Sequence, residues 1–167
     1  MTSPFVAILM GSDSDLPVMQ ATISILKQFD ITHEVRVRSA HRTPDAAKAY
    51  VKDAEERGCK VFICAAGLAA HLAGAVAGMT TRPVIGVPVD CGPLQGHDAL
   101  LSTVMMPGGI PVATVAIGKA GAKNAGYLAA QILGVADQSM AEKVKAERIA
   151  NAAVLLAKDE AMQAKLS

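Results

Sequence analysis

Short apolar runs alternate along the chain with segments in which apolar residues recur at helical spacing. An unbroken run such as FVAILM is typical of a strand that is buried on both faces of a parallel sheet. The run around Val35 and Val37 alternates and predicts a weaker strand. Strands are predicted at Phe5–Met10, 33–38, 60–65, 84–87 and 110–117.

The segments between the strands carry helix start and stop signals. Ser14 or Asp15 is suited to the N-cap of the first helix, which would run as far as Phe29. Thr43 and Pro44 are suited to the cap and first turn of the second. The second helix would span residues 43–57, and further helices are predicted at 69–79, 97–106 and 121–133.

A β-α order repeated five times predicts an α/β fold with a parallel sheet and helices on both faces. Right-handed crossovers make this a three-layer αβα sandwich, with a flavodoxin-like five-stranded parallel sheet of order 2-1-3-4-5. Residues 1–134 would form this domain. Residues 135–167 would add a C-terminal tail helix with an apolar stripe at Ile149, Ala152, Ala153 and Leu156. The stripe must be buried on its own domain or on a neighbouring subunit, and we expect a homo-oligomer.

Composition excludes several classes of protein. The 167 residues carry a net charge of +1 and only 3% aromatic residues, so nothing indicates a nucleic-acid partner. We expect no membrane association, because no apolar run reaches the roughly 18 residues of a membrane span. The three cysteines are odd in number and form no C-x-x-C pair. With no visible signal peptide, this favours a reducing, cytoplasmic location.

Three loops are predicted to meet at the carboxyl ends of the strands, where open parallel sheets bind ligands. The first, Gly11 to Asp15, leads into a helix N-terminus that suits an anion, with Ser12 as a hydroxyl donor and Asp15 as an acceptor for sugar hydroxyls. A plain capping loop remains an alternative, because Ser and Asp are also favoured caps.

The second and third predicted loops each carry a histidine. Ser39, His41 and Arg42 follow the second strand, where an arginine fork suits phosphate and a histidine suits proton transfer near neutral pH. In the third loop, small residues would let backbone amides approach a ligand, with His71 as the polar side chain. Taken alone, this third segment fits helix packing around a core histidine better.

Taken together, the segments resemble the class I N5-carboxyaminoimidazole ribonucleotide mutases of purine biosynthesis, in order and spacing from about Val6 to Leu133. Any one of these segments is weak evidence for the family, whereas the whole set in this order is highly specific for it. The matching segments are MGSDSD, SAHRTP, GLAAHLAG, PVIGVPV, LLSTVMMPGGIPVATVAIG and NAGYLAAQIL.

The resemblance implies a ribonucleotide substrate with a 5′-phosphate, and an isomerase that moves a carboxyl group from the exocyclic nitrogen to C4. It implies a homo-octamer that uses no metal, biotin or ATP. It places phosphate and ribose contacts on Ser12, Asp15 and Arg42, with Ser39 close by. The essential proton-transferring histidine falls on His41. The base and the migrating carboxyl group would be cupped by Gly67, Ala70 and His71.

The sequence departs from the usual pattern of this family in three places. Leu68 stands where Gly is common, Ala73 where Pro is common, and the segment from Asp90 to His97 is atypical. These departures leave two alternatives open. One is direct carboxylation of aminoimidazole ribonucleotide by carbon dioxide, the class II activity. The other is a non-enzymatic flavodoxin-like nucleotide-binding module.

Overall fold

The computed structural model describes residues 4–166, and the expectation about a signal peptide concerns in part residues 1–3, which lie outside this range. The strands are β1 Phe5–Met10, β2 His33–Val37, β3 Cys59–Ala66, β4 Val84–Pro88 and β5 Ala113–Thr114. The helices are α1 Leu16–Gln28, α2 Pro44–Glu56, α3 Leu72–Ala77, α4 His97–Val104, α5 Gly118–Gly134 and α6 Gln138–Leu166.

The sheet is parallel throughout and has the strand order β2-β1-β3-β4-β5. The predicted fold class and strand order are therefore confirmed. Central strand β1 shows why its sequence is apolar without a break. Val6 and Ile8 face the layer that contains α1 and α5, whereas Ala7 and Leu9 face the layer that contains α2 and α3. All six residues of β1 are buried, since both faces are covered.

Two predicted elements are much shorter than their patterns suggest. The helix predicted at 69–79 spans only Leu72–Ala77, because Leu68 adopts the left-handed conformation (φ +56°) and the residues before Leu72 form a loop. The strand predicted at 110–117 is reduced to Ala113–Thr114, which pairs with Ile85 and Gly86. Pro111 has no N–H to donate to the ladder at this edge of the sheet.

Close packing on β4 gives a first prediction. A Cβ at Gly86 would overlap the methyl group of Thr103 on α4 and lie 2.9 Å from Cγ1 of Val112. We expect Gly86→Ala to lower the free energy of unfolding by about 1–3 kcal/mol, the usual cost of overpacking a core. Gly108→Ala is the matched control, because a Cβ there meets no atom within 4 Å. Chemical denaturation measures both, and equal stabilities would contradict the packing argument.

Helix α6 packs on its own domain only near its start. Met140 and Val144 lie against the core beside α5, and the hydroxyl of Tyr127 donates to Glu147 (3.1 Å). Beyond this region the predicted stripe is open, with Ile149 62% and Leu156 65% exposed in the single chain. The domain therefore does not bury the stripe itself.

Candidate functional site

A cavity of about 510 Å³ lies at the carboxyl ends of the central strands. It is where the topology predicts a ligand site, next to the point at which the strand order reverses between β1 and β3. All three predicted loops reach it. Its lining comprises Gly11, Ser12, Ser14, Asp15, Ser39, Ala40, His41, Arg42, Ala66, Gly67, Leu68, Ala69, His71, Leu72 and Cys91.

The loop after β1 is a 3-10 turn, Asp13–Asp15, held by reciprocal bonds. Ser12 Oγ accepts the N–H of Ser14 (3.3 Å), and the carboxylate of Asp15 accepts the N–H of Ser12 (3.0 Å). Asp15 occupies the N-cap position of α1, yet its side chain caps nothing there. The prediction of Asp15 as the N-cap residue of α1 is therefore confirmed, although no side-chain cap bond forms there. The capping side chain is Ser12, and it caps the turn.

Asp15 is a buried carboxylic acid at the edge of the cavity, with 5% of its surface exposed. Burial raises its pKa above the usual range, because a low-dielectric surrounding disfavours the charged form. The N–H groups of Ser12 and Gly11 and the charge of Arg42 oppose this shift without cancelling it. The carboxyl group lines the cavity, where it can accept a hydrogen bond from a ligand hydroxyl. Keeping it ionised while it is buried lowers the free energy of unfolding.

This cost gives a prediction for Asp15→Asn. The ionised carboxylate destabilises the fold at pH values above its raised pKa, and this penalty fades as the pH falls through that pKa. At neutral pH we therefore expect the variant to have a higher Tm than the parent, and to bind nucleotide more weakly. Thermal melts across a pH series measure this effect. A difference in Tm that persists undiminished in acid would contradict the assigned cause.

Arg42 joins the second loop to the first. Its Nη2 donates to the carbonyl oxygen of Gly11 (2.9 Å), and its backbone N–H donates to Ser39 Oγ (3.1 Å). The guanidinium group is exposed to the cavity and retains further N–H donors. Arg42, Ser39 and Ser12 therefore form a polar, cationic end of the cavity, suited to a phosphate group.

His41 and His71 meet in the same cavity, although they are 30 positions apart in the sequence. His41 Nε2 lies 2.8 Å from His71 Nδ1, and the two rings are nearly perpendicular. One of these nitrogens must donate and the other accept, so a single proton lies between them. His71 is exposed at the cavity, and the alternative of a core histidine is wrong.

Two of the three residues predicted in the third loop, Gly67 and His71, line the cavity. The third, Ala70, lies behind the wall, 1% exposed, with its N–H donated to Ser102 Oγ (2.9 Å). Ala70 therefore anchors the loop to α4 and offers no free amide to a ligand. Two lining residues that the motif analysis did not select are Leu68 and Cys91. Leu68 was visible only as a departure from a family pattern.

Residues 4–166 contain neither a cluster of metal ligands nor a membrane-spanning helix. Within residues 4–166, no group of three or more His, Cys, Asp or Glu side chains is arranged to hold a metal ion. Over the same range, no helix is both long and apolar enough to span a membrane.

Comparisons with known proteins agree with the motif order. A family model described as AIR carboxylase matches residues 5–154. A relative from Thermotoga maritima, named N5-carboxyaminoimidazole ribonucleotide mutase, is 58% identical over 142 residues, which cover 85% of this chain and 82% of the relative. A relative of the same name from Mycobacterium tuberculosis is 53% identical over 160 residues, or 96% and 91% of the two chains.

Solved structures extend the match to the fold. The crystal structure of Treponema denticola PurE superposes with a TM-score of 0.85 and is 34% identical in sequence. The match covers 95% of this chain and 98% of that one. The loops that line the cavity fall within the residues that the family model matches.

Proposed function

Because the chain belongs to the AIR carboxylase family, we propose that it converts N5-carboxyaminoimidazole ribonucleotide into 4-carboxyaminoimidazole ribonucleotide in purine biosynthesis. Its relatives carry the name of that mutase at 53–58% identity over most of the chain. The resemblance inferred from the motifs is thereby confirmed. The roles of individual residues are our proposal.

One observation carries the mechanism: the His41–His71 pair and the Arg42 end share a single cavity. We place the 5′-phosphate on Arg42, Ser12 and Ser39, and the ribose hydroxyls on the carboxylate of Asp15. The imidazole base then extends toward the two histidines. This orientation puts the exocyclic nitrogen and C4, the two atoms that exchange the carboxyl group, beside a group able to move protons.

His41 acts as the proton shuttle. It gives a proton to the carbamate nitrogen as the N–C bond breaks, and carbon dioxide is released while the bonding electrons remain on nitrogen. The aminoimidazole, nucleophilic at C4 in the manner of an enamine, then attacks carbon dioxide and forms the new C–C bond. Neutral His41 removes the C4 proton and the ring regains its aromaticity. The proton count returns to its starting value, so one residue suffices.

His71 is the partner that orients His41. Its Nδ1 faces His41 Nε2 at 2.8 Å, and the bond fixes the ring of His41 in the cavity. One ring nitrogen of this bond donates and the other accepts, so each ring constrains the orientation of the other. His71 therefore holds the proton-carrying ring in a defined orientation before the substrate arrives.

The test supplies purified protein with N5-carboxyaminoimidazole ribonucleotide, without ATP or metal, and follows the 4-carboxy product by ultraviolet absorbance. Rapid turnover supports the mutase. A parallel reaction contains aminoimidazole ribonucleotide and bicarbonate. The description of the family model as AIR carboxylase is the observation behind this second candidate, direct carboxylation. Turnover at modest bicarbonate in the second reaction alone would replace the mutase by that activity.

We also propose that the active protein is a cytoplasmic homo-octamer in which the C-terminal helix, residues 135–167, packs on a neighbouring subunit. The exposed apolar residues of α6, among them Ile149 and Leu156, support burial by a second copy. Light scattering should give a mass about eight times 17.2 kDa, and a monomeric mass at micromolar concentration would contradict the proposal.

A further inference from the structure

Leu68 combines two features that need an explanation. Its φ of +56° lies in the left-handed region, which a branched side chain rarely adopts. In the single chain its side chain is also 51% exposed, so core burial does not compensate for the strain. Strained residues of this kind cluster at ligand sites, and Leu68 lines the cavity.

The side chain of Leu68 fills a space left by a glycine in the loop after β4. A Cβ at Gly92 would lie 2.5 Å from Cδ2 of Leu68. In the neighbouring contact, Gly67 with Cys91, the glycine lies on the loop after β3 and the larger residue on the loop after β4. A Cβ at Gly67 would overlap Sγ of Cys91. Across the two loops, leucine thus packs on glycine and glycine packs on cysteine. We call this contact of residues 67–68 with 91–92 the seam.

The seam adds apolar atoms to the wall of the cavity that also holds His41 and His71. Leu68 and Cys91 both line this cavity, and Leu68 precedes His71 by three positions in the sequence. The same cavity carries the polar side chains of Ser12, Asp15 and Arg42. The cavity therefore offers polar groups that suit a phosphate and a sugar, together with an apolar surface. Carbon dioxide is small, uncharged and weakly hydrated, so an apolar wall is the surface that would hold it.

We propose that Leu68, packed on Gly92, determines how much of the released carbon dioxide is retained until C4 attacks it. This inference rests on the proposed mutase function and adds a residue that governs commitment to product. The chemical steps are those given above. Leu68 takes no part in bond making, but it blocks the escape of the intermediate gas and the entry of water.

The experiment measures how released carbon dioxide partitions between capture at C4 and escape, after the rate of spontaneous decarboxylation in an enzyme-free sample has been subtracted. The parent and each variant receive substrate labelled at the migrating carboxyl carbon, in excess unlabelled bicarbonate. Initial rates are recorded for label appearing in 4-carboxy product and for free aminoimidazole ribonucleotide. We expect Leu68→Gly to raise the ratio of free to carboxylated product by about three- to tenfold over the parent, corresponding to a modest change in the competing barriers.

The variants are chosen so that misfolding does not explain the result. Glycine adopts φ +56° without strain, so Leu68→Gly relieves the backbone. Leu68→Met restores apolar volume, and we expect it to return the ratio to near the parent value. Leu94→Ala is the matched control, a leucine of similar exposure (58%) that lies outside the cavity lining, and it should leave the ratio unchanged.

Gly92→Ala tests the contact from the other side. Gly92 has φ +72°, so alanine strains this loop in either background. In the parent it should also displace Leu68, and therefore raise the ratio more than it does in a Leu68→Gly background. Equal effects in both backgrounds, or an unchanged ratio in Leu68→Gly, would overturn the inference. If the parent itself forms no 4-carboxy product, the proposed function fails instead, so the two failures are distinct.

Discussion

His41→Asn should lower kcat by about 10²–10⁴-fold, the usual contribution of a positioned general acid–base, while nucleotide affinity stays within a few-fold of the parent. Asparagine retains a hydrogen-bonding group near His71 but carries no proton that titrates near neutral pH. The phosphate end of the cavity, formed by Arg42 and Ser12, is left untouched. Steady-state rates with N5-carboxyaminoimidazole ribonucleotide, together with calorimetric binding of the 4-carboxy product, measure the two effects separately.

His97→Asn is the matched control for this variant. His97 begins α4, its Nδ1 lies 2.9 Å from the carbonyl oxygen of Leu94, and it is not part of the cavity lining. We expect this variant to keep its activity. If His41→Asn also kept full activity, the shuttle role would be lost. If it abolished binding together with turnover, His41 would be a substrate-holding residue rather than a proton carrier.

Arg42→Ala has the second-largest expected effect, a rise in KM of about 10–100-fold with a smaller change in kcat. A hydrogen bond to a charged group contributes about 1.5–3 kcal/mol, and the guanidinium is the proposed partner of the 5′-phosphate. Arg42→Lys should recover only part of the loss, because a single ammonium cannot reproduce the two parallel N–H donors of arginine.

The Arg42 result must be separated from a loss of loop structure, since its Nη2 also bonds to Gly11. A thermal melt of the variant provides that check. Arg82→Ala is the control: Arg82 forms an exposed ion pair with Glu55 (3.6 Å) outside the cavity and should not alter KM. A variant of Arg42 with unchanged KM and reduced kcat would show that the phosphate binds elsewhere.

Much of the fold follows from the sequence because its signals are local. The FVAILM run identifies β1 as a strand with both faces covered, and the repeated β-α order with right-handed crossovers leaves the strand order little freedom. Pro44 likewise predicts the start of α2, and it lies in the first turn of that helix. The same logic places the loops that carry Ser12, His41 and Arg42 at one edge of the sheet, where the cavity lies.

Local signals failed where a neighbouring loop decided the outcome. The helical pattern at 69–79 gives way to a loop before Leu72, because its first residues form the cavity wall and Leu68 takes a left-handed conformation. The family resemblance places a ligand contact on Ala70, whose backbone N–H is donated to the hydroxyl of Ser102 on α4. Neither partner can be inferred from the segment itself.

The sequence by itself determined the fold class, the strand order and the edge of the sheet at which chemistry is expected, since these depend on periodicity and on the handedness of crossovers. Only the tertiary structure decided which side chains touch: the 2.8 Å contact between His41 and His71, the burial of Asp15, and the packing of Leu68 on Gly92. Such contacts join residues far apart in the chain. Their distances and the charge states that depend on them arise only when the loops are brought together around one cavity.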